Sequence, residues 1–587
     1  MGTGDGAGVL TGPFRRRTTA SKGIEFRAAV VQTLAALDDL DANIALVRRY
    51  TAEAVRMGAR LVVFPECMNS GYLFDDAEHC RRVAEPVSGR YVAAVAELCR
   101  EQGILIASGF TERDEESGRI FNSGLLLDAQ GRLIAHYHKQ FLATHDQNWF
   151  SVGERGCPVV DTELGRLGLL ICFDGRIPEI ARSLALQGAD VIVDMANFFA
   201  MDQADMWVPA RAYENGTWIV AATKSGVERS IYYPGGSMIV APDGEVAARV
   251  PNDTHGVAVA DIAVDRARDK RWFLFGDRME DRRPEAYRII GDPFDRTPVA
   301  AMLAEPLVPE KATAKLAAVQ AHALASPGTL DAALDMVDHA AKLGVKVLVL
   351  PQCFAMPSWL PGPAEVAEHA GAQEAARDRV AGICRRYRCL AVMPMVHEQQ
   401  GGLVQSARII DESGNEIGIQ HQVHAEPGLL GVPAGGEFEV FETSFGRLGV
   451  VIGYDGMFPE STRVLALKGA DVIAWPCAWR SPRDRRLLAV PKAEDNRCFV
   501  VCANRTDCPY PGGSLVIGPT GFTLWDLDVV SPPVTRHGAV MPAFANLALA
   551  RQKSMIPGVD MLRNRRIETY GGLTGRELVS ALPKACS

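Results

Sequence analysis

The sequence predicts an α/β protein in which one layered domain is built twice. Three observations predict it. Apolar runs of strand length alternate with stretches at helical spacing. Several motifs return at a nearly constant offset. The chain of 587 residues also exceeds what a single core ordinarily serves.

The elements of the first copy follow in order. Ala28 to Gln32 reads as a strand, and Asp41 to Met57 as a helix with Ile44, Leu46, Val47, Ala54 and Val55 at helical spacing. Arg60 to Phe64 is a buried strand that Pro65 ends. Gly103 to Ala107 and Gly168 to Ile171 are further strands. Ile180 to Gln187 is a helix closed by Gly188. Strands alternating with helices place candidate sites at strand ends.

The repeat is read from four pairs of segments. Leu170-Ile171-Cys172-Phe173-Asp174-Gly175-Arg176-Ile177-Pro178-Glu179 returns as Val451-Ile452-Gly453-Tyr454-Asp455-Gly456-Met457-Phe458-Pro459-Glu460. Ala185 to Ile192 returns as Ala466 to Ile473, Pro234 to Ser237 as Pro511 to Ser514, and Arg282 to Tyr287 as Arg565 to Tyr570. The offsets are 281, 277 and 283 residues. They set the first copy at 24–290 and the second at 312–575. A proline-bearing linker is expected over 291–311, a disordered leader over 1–23 and a tail over 576–587.

Composition narrows the function. With 48% hydrophobic and 23% charged residues the chain has an ordinary globular composition. A net charge of −9 argues against a general affinity for nucleic acid or an anionic membrane, and no apolar run reaches membrane-spanning length. The thirteen cysteines are scattered, odd in number and free of metal-type pairs, which favours reduced thiols in the cytoplasm.

Chemistry concentrates at three strand ends. Glu66 follows Leu61 to Pro65, Lys139 follows Ile134 to His138, and Cys172 follows Leu169 to Ile171. A carboxylate beside a thiol can take its proton, and an ammonium beside both can hold a thiolate and then an oxyanion. Singly, each residue also reads as a small core residue or a surface pair. The duplicate decides between the readings. Glu66 becomes Gln352, Lys139 becomes Gln422 and Cys172 becomes Gly453, while the surrounding Pro, Asp and Glu persist.

Phe64-Pro65-Glu66, His138-Lys139 and Cys172 to Glu179, arriving in that order in both frames, resemble the nitrilase superfamily of carbon–nitrogen hydrolases. The resemblance covers nearly the whole chain and implies two tandem αββα sandwich domains, the second degenerate. It implies a catalytic triad of Glu66, Lys139 and Cys172, with Lys139 and the Phe173 backbone N–H stabilising the oxyanion, and no metal or organic cofactor. Members of this family commonly carry a second Glu after the lysine; residues 140–150 contain none, and Asp146 is the nearest acidic substitute. Phe173-Asp174, together with the stretch Glu214 to Glu228, resembles the amidase and N-carbamoyl amino acid amidohydrolase branch. In that branch an arginine after the cysteine holds a substrate carboxylate, a role Arg176 fits; pairing within the protein, with Glu179, is the equal alternative. Met457 at the equivalent place fits a lost binding role. Asn197 is a candidate to face substrate, with a turn-forming role as its alternative.

The expected activity is hydrolysis of a small amide or N-carbamoyl compound through a Cys172 acyl-enzyme. A nitrilase, an acyltransferase to an amine acceptor, and a binding or scaffold protein are the alternatives. Because the superfamily assembles through helices near the cysteine loop, the silent copy is expected to act as a fixed intrachain partner. The segments Pro178 to Gln187 and Pro459 to Lys468 would then pack together, with further homo-oligomers open.

Overall fold

A computed structural model describes residues 23–200, 202–272, 274, 276–305, 313–321, 329–399, 402–428, 436–527 and 538–575. The expected leader and tail lie outside these residues, apart from Gly23.

In the first copy, one sheet orders the strands Gly256–Ala263, Glu25–Gln32, Leu61–Val63, Leu105–Arg113, Ile120–Leu127 and Leu133–His138. Its three middle strands run parallel, with Ala28 opposite Leu61 and Val62 opposite Ile106. The other sheet orders Val246–Arg249, Met238–Val240, Trp218–Ala222, Val191–Met195, Gly165–Leu170 and Val159–Thr162. The two sheets stack face to face over a core that includes Val30, Leu61, Leu105, Leu169, Val193 and Val220. Helices Leu40–Arg56 and Arg90–Gln102 cover the first sheet, and Pro178–Leu186 and Val208–Asn215 cover the second. This is the expected αββα sandwich.

Local chemistry sets the elements. Asp39 caps the first helix by accepting the Ala42 N–H at 2.9 Å. Pro178 starts the helix after the Cys172 loop, and Gly188 takes φ +84° beyond its end, as a helix stop requires. The observed strand Leu105–Arg113 runs well past the apolar run read from sequence, because Gly109 packs against the Pro65–Cys67 backbone. A Cβ there would lie 2.3 Å from the Glu66 Cα, so only glycine lets that strand pass the loop that carries Glu66.

The second copy repeats both sheets strand for strand. One runs Glu416–His421, Gly402–Ile410, Leu390–Gln399, Val347–Val349, Thr313–Gln320, Ala539–Asn546. The other runs Val440–Thr443, Gly446–Val450, Val472–Cys477, Phe499–Asn504, Ser514–Ile517, Thr523–Leu527. One difference explains the shift in offset from 281 to 277. The first copy carries a hairpin, Ser225–Glu228 with Ile231–Pro234, that the second lacks among its described residues. The stretch expected as a linker contains a helix, Pro298–Ala304, whose Val299 and Met302 are buried in an apolar cluster with residues of the second copy. Pro298 stands at the first position of that helix, where its missing N–H costs nothing.

Candidate active site

Glu66, Lys139, Asp146, Cys172 and Asn197 meet in the first copy, all buried. The Lys139 Nζ donates to Glu66 Oε1 at 2.8 Å and to Asp146 Oδ2 at 2.7 Å. Asn122 Nδ2 donates to the same Glu66 oxygen at 2.5 Å. Glu66 Oε2 is buried and has no hydrogen-bond partner among the described residues. Asp146 sits in the short helical turn Thr144–Asn148, where the Ala143 N–H and the Tyr72 hydroxyl also bond to it. The hairpin of the first copy supports this corner: Glu228 accepts the Tyr72 and Leu73 N–H groups at 2.7 and 2.8 Å.

The electrostatics follow from burial. Burial alone would lower the Lys139 ammonium, yet Asp146 and Glu66 together hold it well above the usual lysine range. Burial raises the Glu66 carboxyl, which Lys139 opposes. Burial and the nearby Glu66 push the Cys172 thiol well up, with Lys139 acting in the other direction. Burial thus opposes ionisation of both the thiol and the carboxyl, and the Glu66 carboxyl keeps one uncommitted oxygen.

The Cys172 backbone is strained. Its φ is +54°, a left-handed value that a residue with a Cβ adopts at a cost of about 1–2 kcal/mol. Polar clamps hold it there. The Cys172 N–H donates to Asp194 Oδ1 at 2.8 Å, and its carbonyl accepts from Gln203 Nε2 at 2.6 Å. Asp174 receives the Tyr137 hydroxyl and the Phe141 N–H, tying the nucleophile loop to the segment after Lys139. The retention of this Asp in both copies is thereby explained: Asp455 binds the Val423 and His424 N–H groups in the same way.

The second copy preserves the backbone and fills the site. Gly453 keeps a left-handed φ of +48°, without the cost a side chain brings. A Cβ on it would stand 2.5 Å from Gln352 Oε1. Glu426 Oε2 accepts from Gln422 Nε2 at 2.9 Å, from the Tyr454 N–H at 3.2 Å and from Gln352 Nε2 at 3.3 Å. These donors stand at the positions of Lys139, Phe173 and Glu66. A carboxylate oxygen of the protein thus occupies a three-donor cradle, and Arg480 pairs with its other oxygen.

A sequence model of the family described as "Carbon-nitrogen hydrolase" matches residues 27–271 and 315–531. The chain belongs to the carbon-nitrogen hydrolase family. Each copy accounts for one matched segment. Among similar proteins, a nitrilase of Pyrococcus abyssi is 34% identical over 262 residues, covering 44% of this chain and 98% of its own. An N-carbamoylputrescine amidase of Arabidopsis thaliana is 29% identical over 292 residues, covering 45% and 95%. Of solved structures, an amidase from Nesterenkonia sp. is 26% identical, covering 43% of this chain and 96% of its own with a TM-score of 0.37.

For this carbon-nitrogen hydrolase the expectation for Arg176 is corrected. Its guanidinium is buried and spent on protein partners: Nη1 on Glu494 Oε1 of the second copy at 2.9 Å, Nη2 on Asp202 Oδ1 at 2.8 Å. It lies over the Trp207 ring at 4.4 Å. The alternative partner, Glu179, is taken by Arg463 of the second copy at 2.7 Å. The substitution of Arg176 by Met457 follows the same interface. The counterpart of Glu494 is Tyr213, which shares a buried apolar cluster with Met457 and donates its hydroxyl to Asp484 at 2.7 Å.

Asn197 lies at the site, where its side chain donates to the Glu66 carbonyl at 3.3 Å and its backbone reaches the Cys172 thiol. It thus touches both Glu66 and Cys172. Asp194, Gln203 and Asn122 escaped the sequence reading. The signal for Asp194 was present in the duplicate, because its counterpart is Trp475, which donates to the Gly453 carbonyl at 3.0 Å.

Outside the site, Glu112, His136 and His138 form one cation-compatible group among the described residues. They bond to one another, His136 Nε2 to Glu112 Oε2 at 2.6 Å and His138 Nε2 to the same oxygen at 3.1 Å, and the Arg155 Nε lies 3.2 Å from His138 Nε2. No helix among the described residues is long and apolar enough to cross a membrane. Every cysteine among them is free.

Proposed function

We propose that the first copy hydrolyses a non-peptide C–N bond in a small amide or N-carbamoyl compound through an acyl-enzyme on Cys172. The observation that carries this reading is the buried cluster of Lys139 between Glu66 and Asp146, with the free Glu66 oxygen beside the strained cysteine. Glu66 Oε2 takes the thiol proton as sulfur attacks the carbonyl carbon. Lys139 and the Phe173 N–H stabilise the oxyanion; the second copy supports this, since the matching groups hold a carboxylate oxygen. Glu66 then gives its proton to the departing amine or ammonia. It next takes a proton from water, which attacks the thioester carbonyl; the C–S bond breaks, the acid leaves, and Glu66 returns the proton to the Cys172 sulfur. Asp146 keeps Lys139 charged and in place. The second copy acts as a fixed partner within the chain.

The reading is tested with a panel of small amides, N-carbamoyl amino acids and nitriles, followed by ammonia release, with and without an amine acceptor. Amide or carbamoyl turnover by the native chain is expected, lost by at least about 10³-fold in Cys172→Ala, with an acyl adduct on Cys172 by intact mass. Undiminished turnover in both Cys172→Ala and Cys172→Ser would overturn it.

A further inference from the structure

The face between the copies carries four crosswise contacts related by the repeat. Arg463 pairs with Glu179, and its counterpart Arg182 pairs with Glu460. Arg211 pairs with Asp495 at 2.7 Å, and its counterpart Lys492 stands 3.8 Å from Glu214. Of these, Arg211 also donates to the Gly175 and Arg176 carbonyls of the cysteine loop, both at 3.0 Å, but none bonds to Cys172 itself. One contact differs. Arg176 Nη1 binds Glu494 Oε1 at 2.9 Å, and Arg176 Nε lies 3.4 Å from Gln203 Oε1. Gln203 then donates from Nε2 to the Cys172 carbonyl at 2.6 Å. Gln203 stands at the start of a π-helical turn, Gln203–Trp207, which the second copy repeats at Asp484–Ala489.

We propose that Glu494, supplied by the catalytically silent copy, is a positioning residue for Cys172, acting through Arg176 and Gln203. The argument rests on the proposed thiol chemistry and on three observations. Cys172 needs external restraint because its φ is +54°. The restraint on its carbonyl is Gln203, whose amide is fixed in orientation by Arg176. Arg176 is in turn oriented by a buried carboxylate that belongs to the other copy. At the mirror-related place Met457 stands for Arg176, and Tyr213, which stands for Glu494, donates its hydroxyl directly to Asp484, the counterpart of Gln203, at 2.7 Å, so no guanidinium is interposed there. The two copies are consequently matched and not exchangeable. Two first copies would place Arg176 against a tyrosine, and two second copies would bury Glu494 against a methionine.

The test uses the full chain with Glu494→Gln, Glu494→Leu, Gln203→Met and the control Glu460→Gln, which breaks an ion pair of the same face that lies off the relay. Two readouts are taken: kcat and KM on the amide found above, and the rate of Cys172 alkylation by iodoacetamide, scored on the peptide containing Cys172. Glutamine keeps an oxygen for Arg176, so Glu494→Gln is expected within about 3-fold of the native chain in both readouts. Glu494→Leu and Gln203→Met are expected to lower kcat and to shift the alkylation rate by about 10-fold or more, with KM within about 3-fold. Glu460→Gln is expected to leave both within about 3-fold. Native kcat and alkylation in Glu494→Leu would overturn the proposal. An equal loss in Glu460→Gln would overturn it too, since the effect would then be one of the face as a whole. Should Glu494→Leu fail to fold, unchanged values in Gln203→Met overturn it. A native chain inactive on every amide would sink the hydrolase reading alone, and the alkylation rates would still decide the relay.

Discussion

Substituting Glu460 by glutamine tests how strongly charge holds the two copies together. Its carboxylate is buried between Arg182, at 3.3 Å, and Arg282, at 2.9 Å. Burial alone would raise this carboxyl, but the two guanidinium groups lower it from the usual 4.5 to about 2. At 1.36 kcal/mol per unit, that displacement corresponds to about 3 kcal/mol of stability at pH 7. Glutamine keeps the shape and removes the charge, leaving two buried arginines without a carboxylate. A loss of about 3 kcal/mol is expected, in the range for breaking a buried pair. The sign of the pH dependence is fixed by the depressed value. The contribution is fully present above the unfolded pKa of 4.5 and is lost as pH falls toward about 2. By pH 3.5 about 1.4 kcal/mol of it has gone, so the native and variant chains converge. Urea unfolding of both full-length proteins, followed by tryptophan fluorescence at pH 7 and pH 3.5, measures the gap. A gap under about 1 kcal/mol at pH 7, or one that widens on acidification, would refute the reasoning.

Three further outcomes are expected. Asp194→Ala leaves the buried Cys172 N–H without its acceptor, so stability falls by about 1–3 kcal/mol in chemical denaturation and kcat falls with it; an unchanged kcat would show that this bond does not hold the nucleophile. Asp146→Asn removes one of the two charges on Lys139, and at least about a 10-fold loss of kcat is expected in steady-state assays, where native turnover would exclude a role for the second carboxylate. Restoring Glu, Lys and Cys at Gln352, Gln422 and Gly453 in a Cys172→Ala background is expected to give no amide turnover, because Glu426 still fills the cradle; turnover by that variant would show the second site to be open.

The repeat, the α/β layering and three of the residues that meet at the candidate site were legible in the chain. Each depends on local pattern: strand-length apolar runs, proline and glycine punctuation, and a duplicate in which Glu66, Lys139 and Cys172 each lose their chemistry. Such signals survive without contacts. Arg176 shows where pattern stops. Its neighbours in sequence pointed to a substrate carboxylate or to Glu179, whereas its partner is Glu494, 318 residues away. Only the packing of one copy against the other brings those groups together. The same holds for Asp194, Gln203 and Asn122, which are ordinary strand, turn and strand residues until folding sets them against Cys172 and Glu66. The sequence by itself determined that one site is active-like and one is silent. Tertiary structure decided how the silent site is filled, and that its copy reaches the active one. The physical reason is that a left-handed cysteine and a buried lysine need restraint from polar groups converging from several elements, and no linear spacing encodes that convergence.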